Sequence, residues 1–436
     1  MDYIPPVIFV PGITGTYLRD EYLLPPDRIW GVIEHNYGRV ALHPDDPRFE
    51  AIEPARVRAD SIFDVAYKEI IQELRYSLCT DEDSPVPVFP FAYDWRLPLD
   101  IIEKQFSDFV DEVIDRTKLI LHYISAGYKE NPKVNLIGHS MGGLIIAGYL
   151  DTKGTAAPVS KVATLATPYH GSFEAVIKIA TGTANLGTDS PQSREREAAR
   201  LTSSLYHLLP DIQDALEIGD PKLPTPTSLF NPAIWQHSIV NSVLAYVQKR
   251  MAVTNQEQKA QELFAKFLEA AQTYRARIDK FQLSQTNLKK EDWLCVAGVN
   301  SDTRVRMRIS IANGSPLFDL SSKYRLNYWR KKDRTQAEWQ LTGDGTVPFE
   351  AALPNFLDRE NIVCVTPQDY GYWEVQDTLA ARVAGFHAII CNMDMLHRMI
   401  VRHFTGRADL GGNTWGYPAP GITAGQWKPP LAMRSK

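Results

Sequence analysis

The chain has 436 residues, 44% of them hydrophobic and 23% charged, with a formal net charge of -5 at pH 7. That composition suits a soluble globular protein with a sizeable core, and the length admits one α/β sheet with an insertion as readily as two or three domains. No Lys/Arg block has the density of an electrostatic footprint, since "YWRKKDR" is brief and set among polar residues, so no nucleic-acid partner is expected.

The first residues, "MDYIPPVIFV", carry an early acid and two prolines, which is not the pattern of a secretory signal. No stretch approaches the roughly 20 apolar residues of a membrane span, so any membrane contact would be peripheral and a cytoplasmic location is expected. Cys79, Cys295, Cys364 and Cys391 are scattered, three of them inside apolar segments, as free thiols in a reducing compartment would be. Asn313-Gly314-Ser315 reads as a turn.

The first strand is predicted from Val7 in "VIFVPG" and ends in the Gly-flanked turn Pro11 to Gly15. Residues 17–60, rich in Pro, Arg and Asp, read as an irregular excursion. Ile62, Val65, Ile70, Leu74 and Leu78 then recur near helical spacing. A strand follows in "VPVFPFAYDW" from Val86, and a second helix places Phe106, Phe109, Val113 and Ile120 on one side. "VNLIGHS" from Val134, "VATLATP" from Val162, "WLCVAGV" from Trp293 and "NIVCVTP" from Asn361 are further strands. Their apolar runs are continuous rather than alternating, which marks strands buried on both faces. Strands alternating with helices predict a mostly parallel, doubly wound α/β sheet with an inserted helical cap. Residues 1–171 and 291–436 supply the sheet. Between them, 172–290 lack a strong strand signal, and "AIWQHSIVNSVLAYVQKR" and "QELFAKFLEAAQTYRARIDKF" are amphipathic helices of a cap over the C-terminal strand ends.

"VNLIGHSMGG" places Gly138-His139-Ser140-Met141-Gly142 between a strand and a small-residue helix, the context in which a G-x-S-x-G serine becomes a nucleophile. Its bland reading is a glycine-rich turn that packs the helix closely. A serine hydroxyl needs a base and a carboxylate that orients it, and in α/β-hydrolases these follow in the order Ser, Asp/Glu, His. Asp344 in "LTGDGTVP" fits that order, with a plain turn as its alternative. His387 in "GFHAII" precedes an apolar helix, whereas His397 and His403 fall inside it, so His387 is preferred. His139 and His170 lie near the site in sequence and suit packing around it. Backbone N-H groups must also face the developing oxyanion. Met141 supplies one, and the Pro11 to Gly15 turn supplies the other.

Taken in order, "VIFVPGITGT", "VFPFAYDWRLPL", "LIGHSMGG", "LATPYHGS", "SSLYHLLP", "SLFNPAIW", "GDGTVP" and "FHAIICNMDML" resemble the lecithin:cholesterol acyltransferase-like branch of the α/β-hydrolases, which contains phospholipases, lipases and acyltransferases. The resemblance covers most of the chain. It implies the α/β-hydrolase fold, a catalytic triad of Ser140, Asp344 and His387, and Thr14 rather than Ile13 as the second oxyanion donor. It also suggests that "YDWR", Tyr93 to Arg96, shapes the site, against a plain ion pair supporting a strand end. The chain lacks the cysteine-closed lid loop of the secreted and lysosomal members, so their physiological roles do not carry over.

The expectation is therefore a serine-dependent hydrolase of a hydrophobic acyl ester or phospholipid, needing neither metal nor cofactor. An acyltransferase with an alcohol acceptor uses the same triad, and a non-catalytic scaffold is the third reading. Oligomeric state, chain length and head group are not legible.

Overall fold

The computed structural model describes the chain except residues 1–2, 32–33, 42–55, 80–81, 184–192, 213, 226, 322–333, 372–373, 375, 378–384, 409–415 and 433–436. Its strands are β1 (Val7–Val10), β2 (Thr16–Asp20), β3 (Asp27–Trp30), β4 (Val57–Ile62), β5 (Val88–Pro90), β6 (Val134–His139) and β7 (Val159–Leu165), followed by β8 (Leu216–Ile218), β9 (Trp293–Gly298), β10 (Met307–Ala312), β11 (Ser315–Phe318), β12 (Ile362–Val365) and β13 (Tyr417–Pro418). The longer helices are α1 (Asp64–Ser77), α2 (Leu99–Thr117), α3 (Met141–Lys153), α4 (Phe173–Thr181), α5 (Ser193–Leu201), α6 (His237–Arg250), α7 (Gln256–Lys280) and α8 (Asp394–Thr405).

A seven-stranded sheet in the order β13-β12-β9-β7-β6-β1-β5 forms the centre, parallel throughout except at the β12–β13 edge. Every residue of β1, β6, β9 and β12 is buried, as continuous apolar runs require. Side chains alternate between the two faces. Val7 and Phe9 join Ile137, Leu294, Val296 and Val363 under α1 and α8, whose Ile70, Leu74, Leu396 and Met399 fill that side. Ile8 and Val10 face the other way with Leu136, against Phe106 and Val110 of α2, Leu144 of α3 and Leu268 of α7.

From β1 the chain builds outward to β5, then returns to the opposite side of β1 at β6 and continues outward to β7 and β9. The segments leaving the C-terminal ends of β1 and β6 therefore diverge. Such a switch point opens a crevice where open α/β sheets hold ligands, and it is here that the Pro11 to Gly15 turn meets Ser140.

One expectation about the connections needs correction. Residues 17–60 are not simply irregular: β2, β3 and most of β4 form a three-stranded antiparallel sheet centred on β2. These strands carry Arg and Asp on exposed positions and bulge twice, which erased the apolar pattern. The interval 172–290 holds α4 to α7, but it also contributes β8, which pairs with β10 of the following segment. Three residues are too few to give a periodic signal. Asn313 and Gly314, both with positive φ, form the turn between β10 and β11.

Among the described residues no helix is long and apolar enough to cross a membrane. Cys295, Cys364 and Cys391 are buried free thiols, and Cys79 is a partly exposed one.

Candidate active site

Ser140 stands between β6 and α3 with φ 53° and ψ -127°, a conformation that costs a side-chain-bearing residue about 1–3 kcal/mol. Its neighbours explain how the turn closes. A Cβ on Gly138 would lie 2.6 Å from the Gly143 nitrogen, and one on Gly142 would lie 2.2 Å from the Val10 carbonyl oxygen. Only glycines let the turn fold this tightly against β1. The Ser140 N-H is held by the Leu165 carbonyl at 2.9 Å. Met141 opens α3, so its N-H has no acceptor within the helix.

Asp344 is fully buried in the loop between β9 and β12. Its Oδ1 accepts from the N-H groups of Thr346 at 2.9 Å and Val347 at 2.7 Å, which leaves Oδ2 for His387 Nδ1 at 2.7 Å. Room for the carboxylate comes from Gly298 at the end of β9, where a Cβ would come within 2.5 Å of Asp344 Cβ. Ser172, the cap of α4, donates to the Thr346 carbonyl at 2.5 Å, and Thr303 Oγ1 accepts from the Gly345 N-H at 2.8 Å. The loop is thus tied from both sides.

His387 lies in the helical turn Phe386–Ile389, directly after Gly385 with φ 91°. Its own N-H bonds the Asp344 carbonyl at 3.0 Å, and its Nε2 is 2.9 Å from Ser140 Oγ. Because Asp344 accepts the proton on Nδ1, the lone pair of neutral His387 is on Nε2 and faces the Ser140 hydroxyl. The three side chains form one hydrogen-bonded line from carboxylate to hydroxyl.

The turn after β1 closes beside them. A Cβ on Gly12 would lie 2.9 Å from Ser140 Cβ, so glycine sets the approach. The Gly12 N-H is taken by the Tyr67 hydroxyl at 3.1 Å, and the Tyr93 hydroxyl holds the Pro11 carbonyl at 2.8 Å. Thr14 has φ 61°, and its carbonyl accepts from Trp30 Nε1 at 3.2 Å. The N-H groups of Ile13 and Thr14 have no acceptor among the described residues.

The other histidines that the sequence placed near the site have structural partners. His397 Nε2 donates to the Cys391 carbonyl at 2.7 Å, and His403 lies between the carbonyls of Pro430 and Val162. His139 is bonded to Tyr67 and to the His387 carbonyl. His170, Asp211 and Asp279 bring three donor atoms within 4.8 Å of one another, a spacing that could hold a cation. Arg275 donates at 2.8 Å to the same Asp211 oxygen that faces His170, so that carboxylate already has a cationic partner. In "YDWR", Arg96 and Asp94 form an ion pair at 2.6 Å, and Ser204 of "SSLYHLLP" donates to the Trp95 carbonyl. Sequence reasoning missed Tyr67 and Gly298: the first reads as an apolar helix position and the second as one more strand residue.

A family model described as lecithin:cholesterol acyltransferase matches residues 64–369, more than half of the chain. Among solved structures, a chain of the crystal structure of the Tle4-Tli4 complex is similar, with a TM-score of 0.53 and 14% identity over 80% of this chain and 88% of that one. Phospholipase PlaB from Legionella pneumophila matches over 40% of this chain and 27% of its own, at 19% identity and a TM-score of 0.23. No curated protein sequence matches. The first structural likeness, above a TM-score of 0.5 over most of both chains, is a likeness of fold. With that fold and the extent of the family match, the chain belongs to the lecithin:cholesterol acyltransferase family of α/β-hydrolases, enzymes of lipid ester hydrolysis and acyl transfer.

Proposed function

We propose that the protein is a serine hydrolase of hydrophobic acyl esters, with phospholipids among its substrates, working through an acyl-serine intermediate. The observation that carries this is the unbroken line Asp344 Oδ2, His387, Ser140 Oγ, with separations of 2.7 and 2.9 Å. His387 Nε2 takes the Ser140 proton as Oγ attacks the ester carbonyl. Asp344 keeps the ring in the required tautomer and stabilises the imidazolium. The N-H groups of Met141 and Thr14 receive the oxyanion, each such donor being worth about 10²–10³ in rate. His387 then protonates the leaving alcohol, and water attacks the acyl-serine by the same route in reverse. Residues 172–290 act as a cap in this reading, since Ser172 at the start of α4 bonds the Asp344 loop.

The test is fluorophosphonate labelling of the wild type and Ser140→Ala, with turnover of p-nitrophenyl esters from acetate to palmitate. Labelling should vanish only in Ser140→Ala, and longer chains should be preferred. Folded wild type that fails to label would overturn the reading. Labelling with activity confined to short esters would remove the lipid substrate and keep the chemistry. The family supports a second reading, transfer of the acyl group to an alcohol, and products analysed with and without added alcohol separate the two: an acyl-acceptor product dominating in dilute solution means transferase.

A further inference from the structure

Behind the line of Asp344, His387 and Ser140 runs a second hydrogen-bonded line. The Gly12 N-H meets the Tyr67 hydroxyl at 3.1 Å, that hydroxyl meets His139 Nδ1 at 3.0 Å, and His139 Nε2 meets the His387 carbonyl at 3.0 Å. The proton positions follow from the ends. A carbonyl only accepts, so His139 must carry a hydrogen on Nε2. Gly12 only donates, so the Tyr67 oxygen accepts from it and gives its own proton to Nδ1. Every donor then has an acceptor, provided His139 is neutral. A second hydrogen on Nδ1 would point at a hydroxyl already receiving one from Gly12. Burial, with the neighbouring His387 second, accordingly pulls His139 down to about 3 from its ordinary 6.5.

From this geometry we infer that Tyr67 and His139 are positioning residues that lock the turn after β1 to the backbone of His387, fixing the oxyanion donors and the base as one unit. The inference rests on the proposed serine mechanism. Two further contacts support it. A Cβ at Gly12 would lie 3.3 Å from His139 Nδ1, and one at Gly15 would lie 2.8 Å from the Tyr67 hydroxyl, so the turn wraps closely around this bridge. The His387 N-H is meanwhile held by the Asp344 carbonyl at 3.0 Å. The base is thus gripped through both its backbone groups, once toward the carboxylate and once toward the oxyanion turn. Packing alone would not need polar atoms here, because Tyr67 already sits against Phe9 at 5.1 Å between ring centroids.

The test compares Tyr67→Phe, His139→Leu and His139→Gln with wild type and Ser140→Ala, measuring kcat and KM on one p-nitrophenyl ester, fluorophosphonate labelling rates and melting temperatures. A glutamine amide can accept from Tyr67 and donate to the His387 carbonyl, so it restores what leucine removes. We expect kcat and labelling to fall about 10–100-fold in Tyr67→Phe and His139→Leu with KM little changed, since a displacement near 1 Å has that cost. His139→Gln should recover most of the loss. Tyr67→Phe removes one oxygen and keeps the ring, so it decides the matter if His139→Leu fails to fold. Folded Tyr67→Phe with wild-type kcat would overturn the bridge. So would leucine and glutamine variants of equal kcat, whose effect would then be packing. Wild type that labels no better than Ser140→Ala would instead overturn the serine mechanism on which the bridge rests.

Discussion

Ser140 is held in backbone that a side chain disfavours, so its surroundings must over-determine it, and the Asp344 carboxylate is held by its own hydrogen bonds. Asp344 spends one oxygen on two backbone donors and is left with one free oxygen, aimed at His387. The position of that oxygen depends on Gly298. A Cβ there would lie 2.5 Å from Asp344 Cβ and 3.2 Å from the Phe386 ring, and both are buried, so the aspartate has to give way. Gly298→Ala should therefore cost about 1–3 kcal/mol of stability through overpacking and about 10²-fold in kcat/KM through misalignment. Urea melts and ester turnover on the same preparation check both. An unaltered kcat/KM would mean that the carboxylate does not need this alignment.

At the scale of elements, the long helix α7 is fastened to the sheet through α3 and α2. Gly148 in α3 makes this approach feasible, because a Cβ there would lie 2.3 Å from the Tyr274 hydroxyl, which bonds the Leu144 carbonyl at 3.0 Å. Beside it Arg277 pairs with Glu103 of α2 and, at 3.3 Å, with Asp151. Glu103 is only 7% exposed, so Arg277→Ala would leave a buried carboxylate with the Thr152 hydroxyl at 2.5 Å as its main support. The guanidinium is a third exposed and its loss is partly screened; we expect about 2–3 kcal/mol of destabilisation. Adding Glu103→Leu should return most of it, since removing both partners strands neither. A double-mutant cycle by urea unfolding reads the coupling, and strictly additive losses would refute the pairing. The contacts between α3 and α7 also mark the limit of what the sequence revealed. The strand, turn and helix around Ser140 were legible because a buried run, two glycines and a small-residue helix each have a local cause. So were Asp344 and His387, through motif order. The antiparallel sheet of β2 to β4 was not, because short half-exposed strands rich in Arg and Asp have no clean period. Tyr67 gave no signal at all: on an apolar helix face a tyrosine that carries a hydrogen-bond bridge reads the same as one that merely packs.

For the molecule as a whole, the histidines bound into its two packed layers set its response to acid. Burial holds His139 down to about 3 and His207 and His403 down to about 4, against an ordinary 6.5, and lowers His397 as well. At pH 5 the rings of His139, His207 and His403 are neutral in the folded chain and protonated in the unfolded one. The unfolded state then binds more protons, so stability is complete above about 6.5 and falls as pH drops toward the folded values, by roughly 1.4 kcal/mol per pH unit for each such histidine. Glu69 works in the opposite direction. Partial desolvation by its neighbours, followed by repulsion from Asp377, Asp394, Glu374 and Glu73, raises it to about 7, so acid relieves it. Its side chain is exposed and the relief is screened, whereas the histidines are enclosed, so the histidines dominate. Urea midpoints should hold from pH 8 to 7 and decline steadily between pH 6.5 and 4. His403 is the most direct probe, since its ring is enclosed between the Val162 carbonyl of β7 and the Pro430 carbonyl of the C-terminal segment, and in its neutral form donates to only one of them. His403→Gln should lower stability at pH 7.5 yet give a shallower decline below pH 6.5, because one group has left the titration. Parallel curves for the variant and the wild type across that window would show that His403 does not titrate on unfolding, and the acid sensitivity would then have to come from elsewhere in the fold.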